Sequence, residues 1–393
     1  MMEPMDAMNH SESKVSNAAS LLEGFRSDRV AEIRRNGGVW ELAGGQIRLP
    51  RVFGFCRGVT LALAKSLQAL DAHRADGRRM VLLGEIIHNP QVNALFRKRG
   101  VEILTRDQAR DVEAHIGPED VAIIPAFGAE IGIARKLEQI GCEIVDATCN
   151  DVRTLWSWAE QAAADGYGVM IYGRSTHDET VVTKSRLAAV GGKYLVAGDL
   201  DALDRFCDLI RHGQGDAKLA ESFDAQATNA ETLEPFLRLA QVSQTTMLYS
   251  RTMQVRDRLR EAFLDRFGPG AEDRRMRFQP TVCRATQDRQ TAAEELCTSG
   301  LDCCIVVGGI GSSNSRHLYE LAGRHTRAYF LESAEGLVGP ERICAYDFAA
   351  GSFVAKSGYL GGKNHPVVGV LAGASSPEVV VGEVCQRLAE FLG

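Results

Sequence analysis

The sequence predicts an α/β protein built from three α/β domains around a pseudo-threefold axis. The chain has 393 residues, which is more than one hydrophobic core usually holds. Apolar, strand-like segments alternate with amphipathic ones, as expected for sheets covered by helices. The same strand–cysteine–helix arrangement occurs three times, at Cys56, Cys149 and Cys283, which indicates a weak threefold repeat.

Six apolar segments are the expected strands, and a helical stretch follows each of them. They are MVLLGEII (80–87), VAIIPAF (121–127), CEIVDAT (142–148), YGVMIYG (167–173), CCIVVGG (303–309) and VVGVLAG (367–373). The alternation leaves open whether one parallel sheet or several small ones form.

The cysteine turns also set the domain boundaries that we predict. Residues 1–47 are polar and weakly patterned, and we expect a flexible N-terminal extension there, with a short helix at LLEGFRSDRVAEIRR (21–35). A polar segment at about residues 200–240 is interpreted as an insertion in the second domain. The three domains are expected to cover 48–148, 149–282 and 283–393.

Composition and charge narrow the class of protein. The net charge is −6, from 45 basic against 51 acidic residues, so neither nucleic acid nor a membrane surface gains electrostatic support as a partner. The sequence contains no run of about 18 apolar residues, and its N-terminus lacks the pattern of a secretory signal. We therefore expect a cytoplasmic protein without nucleic-acid or membrane partners.

Most of the ten cysteines are expected to be structural thiols, because disulfides are rare in a reducing compartment. No CxxC pair is present, which removes the common zinc-ribbon and ferredoxin spacings. Cys303 and Cys304, for example, lie inside the apolar run LDCCIVVGG. The cysteines that stand at strand-to-helix turns are Cys56, Cys149 and Cys283.

These three cysteines could form one metal site between domains. A cysteine just before a helix lies near the positive end of the helix dipole, which favours the thiolate. Three thiolates that converged would repel one another unless a metal held them. Three ligands, unlike four, also leave one coordination position open for a substrate. The alternative, three unrelated buried cysteines, stays open on the residues alone.

Polar turns after the strands form a second group of candidates. Ligands of open α/β sheets bind beyond the carboxyl ends of the strands, and amide, hydroxyl and imidazole donors there suit a phosphate or diphosphate. For any single turn a helix cap or a surface residue is the plainer interpretation, but five such turns favour an anion site. The candidates are His88, His177, Glu179, Thr245, Thr246, Ser312, Ser313, Asn314 and Ser375.

Eight motifs occur together in one order along the chain. They are GFCRGV, GEIIHNPQVN, DATC, HDET, QTTM, CRATQDRQ, VVGGIGSSNS and AGASSPE. From about residue 40 to the end, this set resembles the 4-hydroxy-3-methylbut-2-enyl diphosphate reductase family (LytB/IspH family), in its longer cyanobacterial and plastid type.

The resemblance implies a cofactor and a role for each candidate. It implies a central [4Fe–4S] cluster held by Cys56, Cys149 and Cys283, with one open iron site. It implies catalytic roles for Glu179 in the proton relay, Thr245 near the substrate hydroxyl, and His177. The residues implied to bind substrate, chiefly its diphosphate, are His88, His177, Thr245, Ser312, Ser313, Asn314 and Ser375.

The resemblance also implies a reaction. Two electrons, expected from a ferredoxin or flavodoxin, reduce 4-hydroxy-3-methylbut-2-enyl diphosphate, water leaves, and isopentenyl and dimethylallyl diphosphates form. This reaction is the last step of the methylerythritol phosphate route to isoprenoids.

Two departures from the family pattern keep alternatives open. Phe127 stands where many bacterial members have a histidine, and Asn150 and Asp151 follow the second cysteine where proline is usual. Asn150 could cap the helix that begins there, while the added carboxylate could signal a paralogue acting on another allylic diphosphate or alcohol. A non-catalytic iron–sulfur or zinc redox sensor is the third hypothesis. The sequence leaves open the product ratio, the electron donor, the role of the N-terminal extension and the oligomeric state.

Overall fold

Residues 22–73 and 76–393 are described by the structure, a computed structural model, and their strands pair into three separate sheets. Helices connect the strands of each sheet, so the α/β class predicted from the sequence is confirmed. Within these residues, no helix is both long enough and apolar enough to cross a membrane. The domain boundaries and the pseudo-threefold axis remain predictions.

The N-terminal part of the chain is folded from residue 22 onward, which corrects the prediction of a flexible extension over residues 1–47. Its elements are helix α1 (Asp28–Arg35), strand β1 (Val39–Leu42) and strand β2 (Gly45–Arg48). Val30 and Ile33 of α1 are buried in the core of a sheet formed mainly by the C-terminal part of the chain. A partner so far away in sequence leaves no local signal, which is why the segment resembled an extension. Residues 1–21 lie outside the described residues.

The first sheet follows the first cysteine turn. Its elements are α2 (Arg57–Ala72), β3 (Met80–Leu82), α3 (Pro90–Lys98), β4 (Glu102–Ile103), α4 (Arg106–Arg110), α5 (Val112–His115), β5 (Val121–Ile124), α6 (Ile131–Ile140) and β6 (Glu143–Asp146). The four strands are parallel, in the order β4–β3–β5–β6. Strands β3 and β5 are shorter than the predicted segments 80–87 and 121–127, because the chain leaves the sheet in turns that carry candidate site residues.

The second sheet follows the second cysteine turn. Its elements are α7 (Asn150–Ala164), β7 (Gly168–Tyr172), α8 (Asp178–Ala189), β8 (Tyr194–Ala197), α9 (Leu200–His212), β9 (Leu239–Ser243), α10 (Tyr249–Phe267), α11 (Ala271–Arg275) and β10 (Met276–Phe278). These four strands are also parallel, in the order β10–β9–β7–β8. The sequence analysis missed β9, because Gln241 and Ser243, although buried, interrupt its apolar pattern.

The interpretation of residues 200–240 as an insertion is wrong for the first part of that segment. Helix α9 connects the edge strand β8 to the inner strand β9 and therefore belongs to the α/β pattern. Its side chains Leu203, Phe206 and Ile210 are fully buried in the core of the second sheet. Polar residues on the other side of the helix obscured this pattern in the sequence.

The third sheet combines both ends of the chain. Its remaining elements are α12 (Arg284–Cys297), β11 (Cys303–Val307), α13 (Ser313–Ala322), β12 (Arg327–Leu331), β13 (Leu337–Gly339), β14 (Arg342–Asp347), β15 (Ser352–Ser357), β16 (Val367–Ala372) and α14 (Glu378–Leu392). The strand order is β1–β2–β16–β11–β12–β14–β13, and β15 pairs with β14. The strands β2, β16, β11 and β12 run parallel, and antiparallel strands extend both edges.

Candidate functional site

One cavity is lined by all eleven residues to which the resemblance assigns a role, and also by the candidate Thr246. The eleven are Cys56, His88, Cys149, His177, Glu179, Thr245, Cys283, Ser312, Ser313, Asn314 and Ser375. The cavity lies where turns from all three sheets meet, beyond the carboxyl ends of parallel strands. This is the position at which open α/β sheets bind ligands.

The three cysteines are held in the same way, each by a different sheet. Each is the N-cap residue of a helix, namely α2, α7 or α12. Each backbone N–H donates a hydrogen bond to a carbonyl in the turn after a parallel strand: β16, β5 or β9. The three bonds join Cys56 to Ala374 at 3.3 Å, Cys149 to Ala126 at 3.0 Å and Cys283 to Thr245 at 3.0 Å. The repeated arrangement in the sequence therefore corresponds to a repeated anchoring in the structure.

The three thiols line the cavity without forming a compact site for one ion. In the part of the chain that the structure describes, no three His, Cys, Asp or Glu side chains are grouped closely enough to hold a single metal ion. A cluster of several irons takes each thiolate on a different iron. The donor set therefore fits an iron–sulfur cluster better than it fits a lone ion.

The prediction that the helix starts favour thiolates is wrong for two of the cysteines. Burial raises the pKa of Cys149. Burial also raises the pKa of Cys283 to about 12, although hydrogen bonding with Thr286 opposes the shift. Without a metal these thiols are neutral, so a metal that binds them has to displace their protons.

Glu179 and Thr245 form a buried pair that lines the same cavity. The Glu179 side chain accepts two hydrogen bonds of 2.6 Å, one from the Thr245 backbone N–H and one from the Thr245 hydroxyl. Burial raises the pKa of Glu179 to about 7, against the opposing effect of these two bonds. A carboxyl with this pKa can hold or release a proton near neutral pH, which suits a general acid.

The structure fixes the tautomer of His177. Its Nδ1 accepts a hydrogen bond of 3.3 Å from the Glu179 backbone N–H, so Nδ1 carries no proton. Burial, together with the neighbouring His88, keeps the pKa of His177 well below its usual value, so the ring is neutral. The proton is therefore on Nε2, which leaves a neutral N–H donor at the cavity.

His88 is held between an aromatic ring and two carboxylates. Its ring stacks on Phe127 with the centroids 4.3 Å apart, and it meets the His177 ring edge-on at 5.5 Å. Nδ1 lies 3.0 Å from Glu85 and Nε2 lies 3.6 Å from Asp178. Phe127 therefore stands in the site as an orienting surface for a histidine, where many bacterial members of the resembled family have a second imidazole.

The serine-rich turn before α13 combines a helix cap with a buried hydroxyl cluster. Ser312 caps α13 by accepting a 3.3 Å hydrogen bond from the Ser315 N–H. The interpretation of Ser312 as a helix cap is therefore correct. The hydroxyls of Ser315 and Ser375 both lie 3.0 Å from the Ser312 hydroxyl. Asn314 accepts from the Ala374 N–H at 2.9 Å, which links this turn to the carbonyl that anchors the first cysteine.

Arg289 is a functional candidate that the sequence analysis missed. It is only 5% exposed, and its guanidinium donates to the carbonyls of Gly54, at 2.7 and 3.2 Å, and Ala285, at 2.8 Å. Burial lowers its pKa, and ionised Cys56 and Cys283 would oppose that shift. Arg289 lies on the buried side of α12 at the helical spacing typical of apolar residues, a signal that could have identified it.

The two residues after Cys149 have different outcomes: the suggested cap by Asn150 is wrong, whereas Asp151 lies close to the candidate ligand. Asn150 does not cap α7, because Cys149 is the N-cap residue and no side chain caps this helix. Asp151 lines the cavity, and its carboxylate lies 4.0 Å from the sulfur of Cys149. The added carboxylate is therefore directly beside a candidate ligand.

Comparisons with known proteins identify the family to which the chain is similar. The family model described as LytB protein matches residues 47–389. A protein of Gloeobacter violaceus named 4-hydroxy-3-methylbut-2-enyl diphosphate reductase is 34% identical over 378 residues, covering 94% of this chain and 88% of the relative. A protein of Thermosynechococcus vestitus with the same name is 33% identical over 368 residues, covering 93% of this chain and 89% of the relative.

Two solved structures of enzymes described as diphosphate reductases are similar in fold. The first, described as the terminal enzyme of the non-mevalonate pathway, matches with a TM-score of 0.52 and 24% identity, over 88% of this chain and 99% of that chain. The second, from Plasmodium falciparum, matches with a TM-score of 0.63 and 20% identity, over 87% of this chain and 86% of that chain. At these identities the similarity establishes the fold alone.

Proposed function

The chain belongs to the LytB protein family, and from that premise we propose that it reduces 4-hydroxy-3-methylbut-2-enyl diphosphate to isopentenyl and dimethylallyl diphosphates. This is an oxidoreductase reaction at the end of the methylerythritol phosphate route. The observation that carries the proposal is the single cavity in which three anchored cysteines face the Glu179–Thr245 pair and a turn rich in hydroxyl groups.

We propose that Cys56, Cys149 and Cys283 hold a [4Fe–4S] cluster at the centre of three α/β domains. Three thiolates leave one iron with an open position, so the bound cluster supplies a Lewis acid for the substrate hydroxyl and a path for single electrons. The fit rests on the donor set, since three thiols from three sheets line one cavity.

The diphosphate is held by hydrogen-bond donors of the cavity wall. No lysine or arginine is among the described residues that line the cavity, so hydrogen bonds and the start of α13 have to balance the anion. The proposed donors are His88, the Nε2–H of His177, the hydroxyls of Ser312, Ser313 and Ser375, and the amide of Asn314.

The reaction takes up two electrons and two protons, because water leaves and a hydrogen is added to carbon. Glu179 holds a proton near neutral pH, and the Thr245 hydroxyl connects it to the cavity at 2.6 Å. We propose that Thr245 also binds the substrate hydroxyl, so that a proton passes from Glu179 through Thr245 to the departing oxygen.

The test is anaerobic purification with iron and sulfide counting, followed by turnover of the named substrate with dithionite and methyl viologen. Four irons per chain and both products support the proposal. A loaded protein that reduces only a different allylic diphosphate or alcohol would identify the paralogue. Loaded protein without any turnover would favour the redox sensor. A ferredoxin or flavodoxin as donor, and the cytoplasm as location, stay predictions.

A further inference from the structure

A surface groove reaches one of the candidate ligands from outside the cavity. The groove has a volume of about 370 Å³ and lies between the first turns of α2 and the turn from β6 into α7. We call it the α2 groove; its lining residues that matter here are Arg57, Gly58, Leu61, Lys65, Cys149 and Arg153. Cys149 lines both the α2 groove and the cavity, so it lies between the site and the protein surface.

Gly58 lies very close to the sulfur of Cys149. A Cβ atom at this position would lie 2.6 Å from the sulfur of Cys149 and 3.7 Å from that of Cys56. Any larger residue would therefore clash with the Cys149 sulfur or cover it. Because Gly58 has no side chain, a molecule in the groove can approach a cluster ligand closely.

The α2 groove also has the composition of a protein contact surface. Leu61 is 47% exposed. It is one of four large hydrophobic side chains that are exposed among the described residues. Arg57 and Lys65 lie four residues before and after it, on the same side of α2. An apolar centre bordered by polar side chains is the usual anatomy of an interface.

The charge around the groove is positive on an acidic chain. Arg57 and Lys65 are in no ion pair in the described ranges, and the Lys65 ammonium donates only to the Asp146 carbonyl, at 2.7 Å. Arg153 pairs with the Asp146 carboxylate, and Asp151 adds one negative charge. The groove therefore keeps two uncommitted cations, while the whole chain has a net charge of −6.

We propose that the α2 groove is the docking surface for a small one-electron carrier protein whose contact face is acidic. The inference rests on the proposed function, which needs two electrons delivered one at a time from outside. Electron transfer slows steeply with distance, so a carrier has to dock where a cluster ligand is closest to the surface. Uncommitted cations would steer an acidic partner to this place and fix its orientation.

The test compares a protein donor with a small reductant. In the double variant Leu61→Glu with Lys65→Glu, the KM for a reduced plant-type [2Fe–2S] ferredoxin should rise about tenfold or more, because the surface now repels an acidic face. Turnover with dithionite and methyl viologen should stay unchanged, since neither residue lines the cavity. Calorimetric titration of the same ferredoxin, oxidised, into the variant should show the same loss of affinity without any turnover.

The matched control is Lys98→Glu with Lys218→Glu. Both lysines are exposed and lie on other elements, and Lys98 lies near β4, at the opposite edge of the first sheet from β6. The control lowers the net charge by four units and the test variant lowers it by three. A global charge effect would therefore affect the control more. We expect its ferredoxin KM to stay near that of the wild type.

Three results would overturn the docking proposal. They are an unchanged ferredoxin KM in the test variant, an equal rise in the control, or an equal loss of viologen-driven turnover. If the double variant folds poorly, the single variant Leu61→Ser decides, with a smaller rise of KM in the same direction. Failure of the proposed function is distinguishable, because then the wild type would not turn over with viologen either.

Discussion

Replacing Glu179 by glutamine tests the central acid of the site without changing its shape. The amide oxygen of Gln can still accept from the Thr245 N–H, and its NH₂ group can donate to the Thr245 hydroxyl, which now turns its own proton away. The variant therefore keeps both contacts and loses only the titratable proton.

The magnitude follows from the shifted pKa. Burial raises the pKa of Glu179 from 4.5 to about 7, which corresponds to about 3 kcal/mol between the two protonation states. Between these two pH values the folded chain binds more protons than the unfolded chain, so the free energy of unfolding falls as pH rises. The stabilising contribution is fully present below pH 4.5 and is lost as the pH passes about 7.

The assay is urea unfolding of the reduced, cluster-free protein at pH 5 and pH 8. The stability of Glu179→Gln relative to wild type should increase by about 2–3 kcal/mol between the two pH values, because only the wild type has to bury a charge at high pH. Glu119→Gln, at an exposed position, is the control for the replacement of a glutamate by glutamine as such. A difference that does not change with pH would refute the reasoning.

The same variant tests catalysis. With substrate affinity and cluster intact, turnover should fall by a factor of about 10² or more, since the proton that leaves with the hydroxyl has lost its donor. Wild-type kcat should decline above about pH 7, where Glu179 loses its proton. Wild-type turnover in the glutamine variant would remove Glu179 from the mechanism.

Three further predictions concern the cluster and the diphosphate turn. Cys149→Ser should lose most of the iron, whereas Cys303→Ser, in the interior of β11, should keep it; equal iron in the two would contradict the ligand assignment. Ser312→Ala with Asn314→Ala should raise the substrate KM about 10²-fold, since charge-assisted bonds contribute about 1.5–3 kcal/mol each. An unchanged KM would show that this turn only caps α13 and does not bind the diphosphate. Arg289→Met should destabilise the cluster-free protein, because the carbonyls of Gly54 and Ala285 lose their donors. It should destabilise the loaded protein more, because the guanidinium also balances the negative charge of bound thiolates, as thermal unfolding of both forms would show. Equal destabilisation of the two forms would exclude charge compensation by the cluster.

The candidate site was predictable because its signals are local. A strand that ends in a cysteine or a polar residue before a helix can be identified within about ten residues, and the fold brings such ends together. All eleven predicted residues line one cavity for this reason. Their roles remain proposals, since the cavity geometry alone does not assign them.

The features that the sequence did not predict depend on distant contacts or on burial. Strand β2 pairs with β16, so the N-terminal segment joins the third sheet through residues more than 300 positions away. For Cys149 and Cys283 the direction of the pKa shift was predicted wrongly, because the dipole of a helix is a local property, whereas the burial that raises both pKa values depends on the whole fold. Arg289 was missed because a charged residue in a helical pattern is normally assigned to the solvent side.

The way the cysteines are anchored explains why ligand and substrate residues form one unit. The carbonyl that holds each cysteine belongs to a residue that also faces the cavity or directly precedes one that does: Thr245 itself, Ala126 before Phe127, and Ala374 before Ser375. A shift at any one strand end would therefore move a proposed cluster ligand and a neighbouring cavity residue together. Because each sheet supplies one such pair, the three thiols reach the positions needed for one cluster only when all three sheets are in place. We infer that binding of the cluster and ordering of the substrate site are thermodynamically linked, as expected when metal binding contributes to folding.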